Sequence, residues 1–196
     1  MELQYPDAIN SISFTMLRYY EMLVKEPQLG LMQLDLSNAF NSVDRGSAIL
    51  QFVCEKLPEA SAWVEWVLCA AAPLYIGSQQ LLCTTGVQQG DPMGPLLFAA
   101  KIHNVISKVA AEYPSAWCIW YLDDGTVVGD LNTLNAVAAR LNQELNGAGL
   151  TMNIGKCHVT SATSTELFPM LRMMRYHPIS DSEGIRVLGI PVGGKQ

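Results

Sequence analysis

Two adjacent carboxylates, Asp123 and Asp124, separate two β-prone segments, residues 117–122 and 126–128. Asp124-Gly125 between such segments predicts a hairpin, because glycine accepts the positive φ of a tight turn. Neighbouring like charges repel, and they stay ionised only where water or a cation compensates them. The pattern therefore leaves two alternatives: a divalent-metal site at the tip of a hairpin, or an ordinary solvated turn.

A third carboxylate, Asp35, lies at the end of the apolar segment 31–36, which is typical of a buried strand. A lone carboxylate is costly to bury unless it is paired or bound to a metal. Asp123 and Asp124, at the end of another apolar segment, are its obvious partners. If the two strands are neighbours, the three carboxylates converge, an arrangement that suits two Mg²⁺ ions about 4 Å apart and phosphoryl transfer.

Hydrophobic periodicity predicts the elements that position these residues. Residues 7–25 are predicted to form a helix with Leu17 and Met22 facing inward. Trp63 and Trp66 are interpreted as core or helix-packing residues, with base stacking as the less favoured alternative. Asp91-Pro92 is predicted to begin a helix, because Asp caps exposed N–H groups and Pro suits the first turn. Residues 161–182 are predicted to be irregular.

Further elements complete the pattern. Helices are predicted over residues 49–57, 63–70, 91–109 and 131–146, and strands over 74–76, 81–84, 150–154 and 186–190. Gly77-Ser78 is expected to turn a hairpin between the first two of these strands. The order predicts an α+β fold in which helices cover one face of a largely antiparallel sheet.

The composition describes a folded chain with a modest negative charge. With 196 residues, 49% of them apolar and 15% charged, the chain is long enough for one domain with a sizeable core. The net charge of −6 argues against a nucleic-acid-binding surface, since phosphate contacts need Lys and Arg. Charge alone therefore does not indicate a nucleic-acid partner.

Cysteine, histidine and apolar patterns give no further site. The five cysteines are scattered without a CxxC spacing, which predicts reduced thiols in an intracellular protein. His103, His158 and His177 show no mutual spacing for a metal site and are predicted to be structural or surface residues. Residues 1–15 lack a signal-peptide pattern, and the longest apolar run is too short to span a bilayer. We expect a soluble protein that does not bind membranes.

Five segments resemble the motifs of reverse transcriptases in order and spacing. They are DLSNAFNSVD at 35–44 (motif A), QQGDPMGPLLF at 88–98 (B), YLDD at 121–124 (C), GLTMNIGK at 149–156 (D) and, more loosely, VLG at 187–189 (E). The matches extend over residues 31–190 and are most like those of non-LTR retroelements.

The resemblance implies a polymerase palm with two divalent metals, Mg²⁺ or Mn²⁺. Asp35 and Asp123 would hold the ions, with Asp124 as the third carboxylate and the Leu36 carbonyl as a further ligand. Asp44 also lies in motif A, but it precedes a predicted helix, so N-capping or a surface role is favoured over metal binding.

The same resemblance implies roles in substrate binding. Phe40 would be the steric gate against a 2′-hydroxyl, with core packing as the alternative. Gln89 and Gly90 would lie at the incoming base pair, in a turn ahead of a helix. Lys156 would be the motif D lysine beside the leaving pyrophosphate, or simply a solvated lysine. Tyr121 would contact the primer terminus.

The ends of the chain suggest a fragment. Residues 1–30 are interpreted as a helical remnant of the junction between fingers and palm, and residues 31–196 as the palm itself. Only seven residues follow Gly189, and residues 31–130 carry four cations against ten acids. We therefore expect fingers and thumb to be largely missing and to belong to a longer polyprotein. Asn41 replaces an acid found in many relatives, with little expected cost.

The function implied is RNA-directed DNA polymerisation: addition of deoxynucleotides to a primer 3′ end on an RNA or DNA template. One alternative is an RNA-dependent RNA polymerase, but Leu122 and Phe40 both argue against it. The other is an inactive, truncated retroelement palm that serves at most as an interaction module. The resemblance implies action in the nucleus, but no Lys/Arg-rich import signal is visible, so nucleus and cytoplasm both stay open.

Overall fold

The structure is a computed structural model that describes residues 8–45, 47–69, 71–88, 90–179, 185–187 and 190–192. The helices are α1 (Ala8–Lys25), α2 (Ala39–Ser42), α3 (Ser47–Lys56), α4 (Pro58–Cys69), α5 (Gly94–Glu112) and α6 (Leu131–Gly147). The strands are β1 (Leu29–Leu34), β2 (Ala72–Ile76), β3 (Gln79–Cys83), β4 (Trp117–Tyr121), β5 (Asp124–Asp130), β6 (His158–Ser161), β7 (Arg175–Pro178), β8 (Ile185–Val187) and β9 (Ile190–Val192). No helix in this described part is long and apolar enough to cross a membrane.

The chain forms two compact units. Unit 1 consists of the described parts of Met1–Asp35, Ala110–Arg140 and Asn153–Gln196, and unit 2 of those in Leu36–Val109 and Leu141–Met152. The expected division into residues 1–30 and 31–196 stays a prediction.

Unit 1 is built on a five-stranded sheet in the order β4-β5-β1-β6-β7. The central strand β1 is antiparallel to both neighbours, and β6 and β7 are the parallel pair. Helix α6 packs against one face, where Gly30 leaves room for Leu131 and Leu134. Helix α1 covers part of the second face, beside Leu31 and Val128. The predicted α+β class, with a largely antiparallel sheet and packed helices, is confirmed.

The inward face of α1 was predicted wrongly. Leu17 and Met22 are 41% and 40% exposed, whereas Met16, Tyr20 and Leu23 are buried. Both sets follow helical spacing, so periodicity alone could not choose between them. The sheet makes the choice, because Leu31 and Val128 contact the second set.

Unit 2 contains the predicted β2–β3 hairpin, whose turn is Gly77-Ser78 with Gly77 at φ +61°. The interpretation of the tryptophans as core residues is wrong, since Trp63 and Trp66 are 41% and 76% exposed. Helix α4 instead buries Val64 and Leu68, which lie one turn apart on a different side of the helix.

The start predicted for α5 is three residues too early. The Asp91 carboxylate accepts a hydrogen bond from the Met93 N–H (2.9 Å), and its carbonyl accepts one from the Gly94 N–H (3.0 Å). Asp91 therefore closes a turn ahead of the helix rather than capping it. The helix predicted over 131–146 is confirmed as α6.

Two strand predictions and one prediction of irregular structure near the C-terminus are wrong. Residues 150–154 contribute only a bridge between Leu36 and Met152, followed by a 3₁₀ turn at Ile154–Lys156. The segment expected to be irregular contains β7. The strand expected over 186–190 is instead two short strands, β8 and β9; Leu188 and Gly189 lie outside the described residues.

Candidate active site

The carboxylate hairpin exists, but its turn differs from the predicted one. Strands β4 and β5 pair up to Tyr121 and Asp124, so the turn consists of Leu122 and Asp123. Leu122 has φ +54°, a left-handed conformation that costs a non-glycine residue about 1–2 kcal/mol. Such strained positions cluster at functional sites.

Gly125 has a different role from the predicted one. It lies in β5, paired with Trp120, and its φ is not positive. A Cβ at this position would stand 2.6 Å from the Trp120 ring. Glycine is therefore needed because the indole lies across the strand beside the hairpin tip.

Asp35 lies at the same end of the sheet as the hairpin tip. Leu34 of β1 pairs with Gly125 of β5 in an antiparallel arrangement. Asp35 is the residue after Leu34 and Asp124 is the residue before Gly125, so the two carboxylates lie at the same end of the sheet. The pKa of Asp124 is raised by partial burial of its carboxyl and by the nearby charges of Asp123 and Asp35. The structure therefore brings the three predicted carboxylates within electrostatic reach of one another.

These carboxylates do not form a preformed metal cage. Among the residues that the structure describes, no three His, Cys, Asp or Glu side chains are arranged to hold a metal ion. Mg²⁺ usually binds proteins through one or two carboxylates and completes its shell with water and substrate phosphates. The ligand roles of Asp35, Asp123 and Asp124 stay predictions.

The backbone of Asp35 is fixed from the motif D segment. Its carbonyl accepts a hydrogen bond from the Asn153 N–H (2.8 Å), and its N–H points at the Cys157 sulfur (3.5 Å). Burial raises the pKa of the Cys157 thiol, which keeps it neutral. Lys156, at the end of the intervening 3₁₀ turn, is exposed. The cysteine was missed because it has no spacing signal.

The Leu36 backbone is paired with the motif D segment, and its role as a metal ligand stays a prediction. Its bridge to Met152 is flanked by the hydrogen bonds from Ser37 N–H to Thr151 O and from Asn153 N–H to Asp35 O. In an antiparallel bridge of this type the carbonyl of the central residue points away from its partner. Tyr121, at the end of β4, is 38% exposed.

Unit 2 places two of the predicted substrate-binding residues in one pocket, whose lining includes Phe40, Gln88 and Gly90. The Phe40 ring also stacks on Phe98, with ring centroids 4.5 Å apart. The contact with Phe98 agrees with the core-packing alternative, and the role of Phe40 as a steric gate stays a prediction. Gln89 lies outside the described residues.

Asp44 has the surface role that was favoured over metal binding. Its exposed carboxylate lies 3.6 Å from the amine of the buried Lys101. Helix α3 begins only at Ser47, three residues later, and the backbone N–H of Asp44 bonds to the Ala148 carbonyl (3.1 Å).

Two histidines that sequence spacing left apart are close in space. His158 Nδ1 lies 2.8 Å from His177 Nε2, and the rings are stacked. The proximity depends on the pairing of β6 with β7, and β7 fell in the segment predicted to be irregular.

Comparisons with known proteins agree with this geometry. A family model described as reverse transcriptase (RNA-dependent DNA polymerase) matches residues 7–192. The retrotransposable element SLACS 132 kDa protein of Trypanosoma brucei gambiense is 30% identical over 140 residues, which are 68% of this chain and 12% of that protein.

Solved telomerase structures from Candida tropicalis share the fold. The apo form has a TM-score of 0.59 at 14% identity and covers 78% of this chain and 32% of its own. The complex with a TWJ fragment of telomeric RNA has a TM-score of 0.55 at 16% identity, covering 76% and 29%. This chain thus spans about a third or less of these relatives. Since the family model extends over nearly the whole sequence, the chain belongs to the reverse transcriptase (RNA-dependent DNA polymerase) family.

Proposed function

We propose that this chain is the palm of an RNA-directed DNA polymerase, which adds deoxynucleotides to a primer 3′ end on an RNA or DNA template. The observation behind this proposal is that Asp35 lies at the same end of the sheet as Asp123 and Asp124. The pKa of Asp124 is raised by burial of its carboxyl and by the nearby negative charges of Asp123 and Asp35. A site of this kind gains stability when positive charge binds to it.

The donor set fits two Mg²⁺ or Mn²⁺ ions, because it consists of carboxylate and carbonyl oxygens, which hard cations prefer. Asp35 and Asp123 would hold the ions, together with Asp124 and the Leu36 carbonyl. When bound, the ions would neutralise the triphosphate and lower the pKa of the primer 3′-hydroxyl. The strained Leu122-Asp123 turn holds the second carboxylate at the tip. The backbone of the first is held by the Asn153 N–H, which donates to the Asp35 carbonyl, and by the Cys157 sulfur, which accepts from the Asp35 N–H.

The exposed side chains of Lys156 and Tyr121 would complete the proposed reaction site. The ammonium of Lys156 would stabilise the charge on the leaving pyrophosphate, or donate a proton to it. Its 3₁₀ turn follows Asn153, which bonds to Asp35, so the lysine belongs to the segment that positions the first carboxylate. Tyr121 immediately precedes the turn and would support the primer terminus.

Selection of the sugar is assigned to the pocket in unit 2. The Phe40 ring is backed by Phe98, so it resists displacement by a larger sugar. A fixed ring at this point would exclude a 2′-hydroxyl and favour deoxynucleotides. Gly90 has φ +93°, and no atom lies within 4 Å of the position that a Cβ would take. Gly90 and Gln89 would contact the base pair.

The remaining partners are proposed to come from a longer polypeptide. The SLACS protein is about eight times as long as the part matched here, since the match covers 12% of it. Fingers and thumb segments of such a protein would add cations to this chain, whose own net charge is −6. The compartment, nucleus or cytoplasm, stays a prediction.

Primer extension tests the proposal. A labelled primer on an RNA template would be incubated with Mg²⁺ or Mn²⁺ and the chain joined to its flanking segments. The parent would be compared with Asp123→Asn and with the control Asp44→Asn, which makes the same charge change in unit 2.

We expect Asp123→Asn to lower extension by at least about 100-fold and Asp44→Asn to leave most of it. Equal extension by the parent and Asp123→Asn would contradict the proposal. A preference for ribonucleotides would favour the RNA polymerase alternative, and no incorporation with either metal would favour the inactive remnant.

A further inference from the structure

Arg45, which directly follows the motif A segment, is a buried cation that binds backbone rather than a carboxylate. Only 8% of the residue is exposed. Among the residues that the structure describes, no Asp or Glu carboxylate lies within ion-pair distance of its guanidinium, and the neighbouring Asp44 pairs with Lys101 instead. A buried guanidinium is costly unless its N–H groups are hydrogen-bonded. Its hydrogen-bond partners therefore indicate what it holds in place.

The guanidinium binds the 83–88 loop, which leads from the end of β3 into motif B. Nε donates to the Gly86 carbonyl (2.6 Å), Nη1 to the Cys83 carbonyl (3.1 Å) and Nη2 to the Cys83 sulfur (3.1 Å). The Cys83 thiol in turn donates to the Thr85 carbonyl (3.4 Å). Arginine presents its donors in a rigid planar fork, which the single amine of a lysine does not reproduce. Arg45 therefore holds the first half of the loop at several points at once.

The 83–88 loop is bound in turn to α2 and the residue after it. Three consecutive loop residues donate hydrogen bonds to carbonyls of this segment: Thr85 Oγ1 to Asn41 (3.0 Å), Gly86 N–H to Val43 (2.8 Å) and Val87 N–H to Phe40 (2.7 Å). A Cβ on Gly86 would stand 2.5 Å from the Asn41 backbone, so the loop cannot come closer to α2. A loop that loses its bonds to Arg45 can therefore move only away from α2.

The same loop contributes to the pocket that was assigned to sugar selection. The pocket lining includes Phe40 and Gln88, and Gln88 directly follows Val87, whose N–H is bonded to the Phe40 carbonyl. The Phe40 ring is held by its stacking on Phe98. The separation of Phe40 and Gln88 therefore depends on the position of the loop, which Arg45 fixes. A pocket can reject a sugar with one additional hydroxyl only if its walls do not move apart.

We propose that Arg45 is a positioning residue for sugar selection: it holds the 83–88 loop against α2 and so keeps the pocket too narrow for a 2′-hydroxyl. This inference rests on the proposed polymerase function and on the gate role proposed for Phe40. Arg45 acts through the loop and not by contact with the nucleotide, because Nε, Nη1 and Nη2 each donate to a loop atom.

The test is the ratio of kcat/KM for a deoxynucleotide to kcat/KM for the matching ribonucleotide, measured on the chain joined to its flanking segments. A variant that is merely less folded has less active enzyme for both substrates, so its ratio does not change. The variants are Arg45→Met, which keeps an unbranched side chain but has no donors, and Arg45→Lys, which keeps the charge but not the fork. Arg172→Met is the control, since it makes the same change at an exposed arginine. Circular dichroism would verify that each variant is folded.

We expect Arg45→Met to lower the ratio by about tenfold, chiefly by raising kcat/KM for the ribonucleotide. Arg45→Lys should give a ratio between those of Arg45→Met and the parent, because one amine can restore only part of the bonding to the loop. Arg172→Met should leave the ratio unchanged. Adding Arg45→Met to Phe40→Ala should lower the ratio no further than Phe40→Ala does, since two residues that act through the same pocket wall are not additive.

The inference is overturned if Arg45→Met and Arg45→Lys keep the ratio of the parent while Phe40→Ala lowers it. Full additivity of the two changes in the double variant would also overturn it, and so would an equal fall in the ratio with Arg172→Met. If Arg45→Met does not fold, the ratio of Arg45→Lys alone decides. The gate fails separately, when Phe40→Ala keeps the ratio of the parent, and the polymerase proposal fails when Asp123→Asn extends as well as the parent.

Discussion

Replacing Gly86 by Ala tests how closely the loop before motif B packs on the motif A segment within unit 2. Gly86 has φ +76°, and a Cβ there would stand 2.5 Å from the Cα, carbonyl carbon and oxygen of Asn41. Its N–H donates to the Val43 carbonyl (2.8 Å), and its own carbonyl accepts from Arg45 Nε (2.6 Å). The loop therefore cannot shift outward without losing hydrogen bonds.

The expected loss of stability follows from three contributions. A left-handed conformation costs alanine about 1–2 kcal/mol relative to glycine. Forcing a methyl group against the backbone adds about 1–3 kcal/mol. Alanine also reduces the conformational entropy of the unfolded chain, which offsets this loss of stability by about 0.4–1 kcal/mol. We expect Gly86→Ala to lower the free energy of unfolding by about 1–4.5 kcal/mol.

Gly77→Ala is the matched control, since Gly77 has φ +61° but no atom within 4 Å of the position that an added methyl group would take. It should lose only the conformational contribution, about 1 kcal/mol or less. Urea unfolding of both variants, compared at a constant m-value, measures the difference. Equal losses in the two variants would refute the close approach of Gly86 to Asn41.

Three further predictions concern the carboxylate turn and the pocket. Phe40→Ala removes the ring stacked on Phe98, so it should lower the free energy of unfolding by about 2–3 kcal/mol. It should also raise the use of ribonucleotides in competition assays, and unchanged sugar selectivity would contradict the role of Phe40 as a steric gate. Asp124→Asn should stabilise the protein at neutral pH, because a carboxyl whose pKa is raised contributes stability below its ordinary pKa and loses it as pH rises through the raised value. Thermal melts should show a higher Tm for Asp124→Asn than for the parent near pH 7 and no difference below about pH 3. The same difference in Tm at the two pH values would contradict this prediction. Leu122→Val should be less stable than Leu122→Gly by about 1–2 kcal/mol, because a β-branched residue is disfavoured at positive φ; equal urea midpoints would show that the turn is not strained.

Local sequence patterns were sufficient for the elements that carry the carboxylates. The apolar segment before Asp35 predicts β1 because a buried strand needs apolar side chains on both faces. The regular spacing of Leu134, Val137, Leu141 and Leu145 predicts α6, and all four are buried. Gly77-Ser78 predicts the β2–β3 turn, since glycine adopts the positive φ of such a turn without steric cost.

Features that depend on distant partners could not be predicted in this way. The Asp-Gly signal suggested a turn at Gly125, but pairing of Trp120 with Gly125 moves the turn to Leu122 and Asp123. The interpretation of Trp66 as a core residue failed because Val64 and Leu68 define the buried side of α4. In each case the deciding contact comes from another strand or helix rather than from local spacing.

The histidine pair shows the same limitation for the candidate site. His158 and His177 are nineteen residues apart, and only the parallel pairing of β6 with β7 brings them together. The exposed strand β7 has little hydrophobic alternation, so periodicity gave no reason to expect a strand there.

The central claim is that Asp35, Asp123 and Asp124 together hold divalent ions, and Mn²⁺ titration followed by electron paramagnetic resonance tests it most directly. The account predicts that the parent and Asp44→Asn bind Mn²⁺ with equal affinity, while Asp35→Asn and Asp123→Asn each weaken binding by at least about tenfold. The same Mn²⁺ affinity in all four proteins would contradict it.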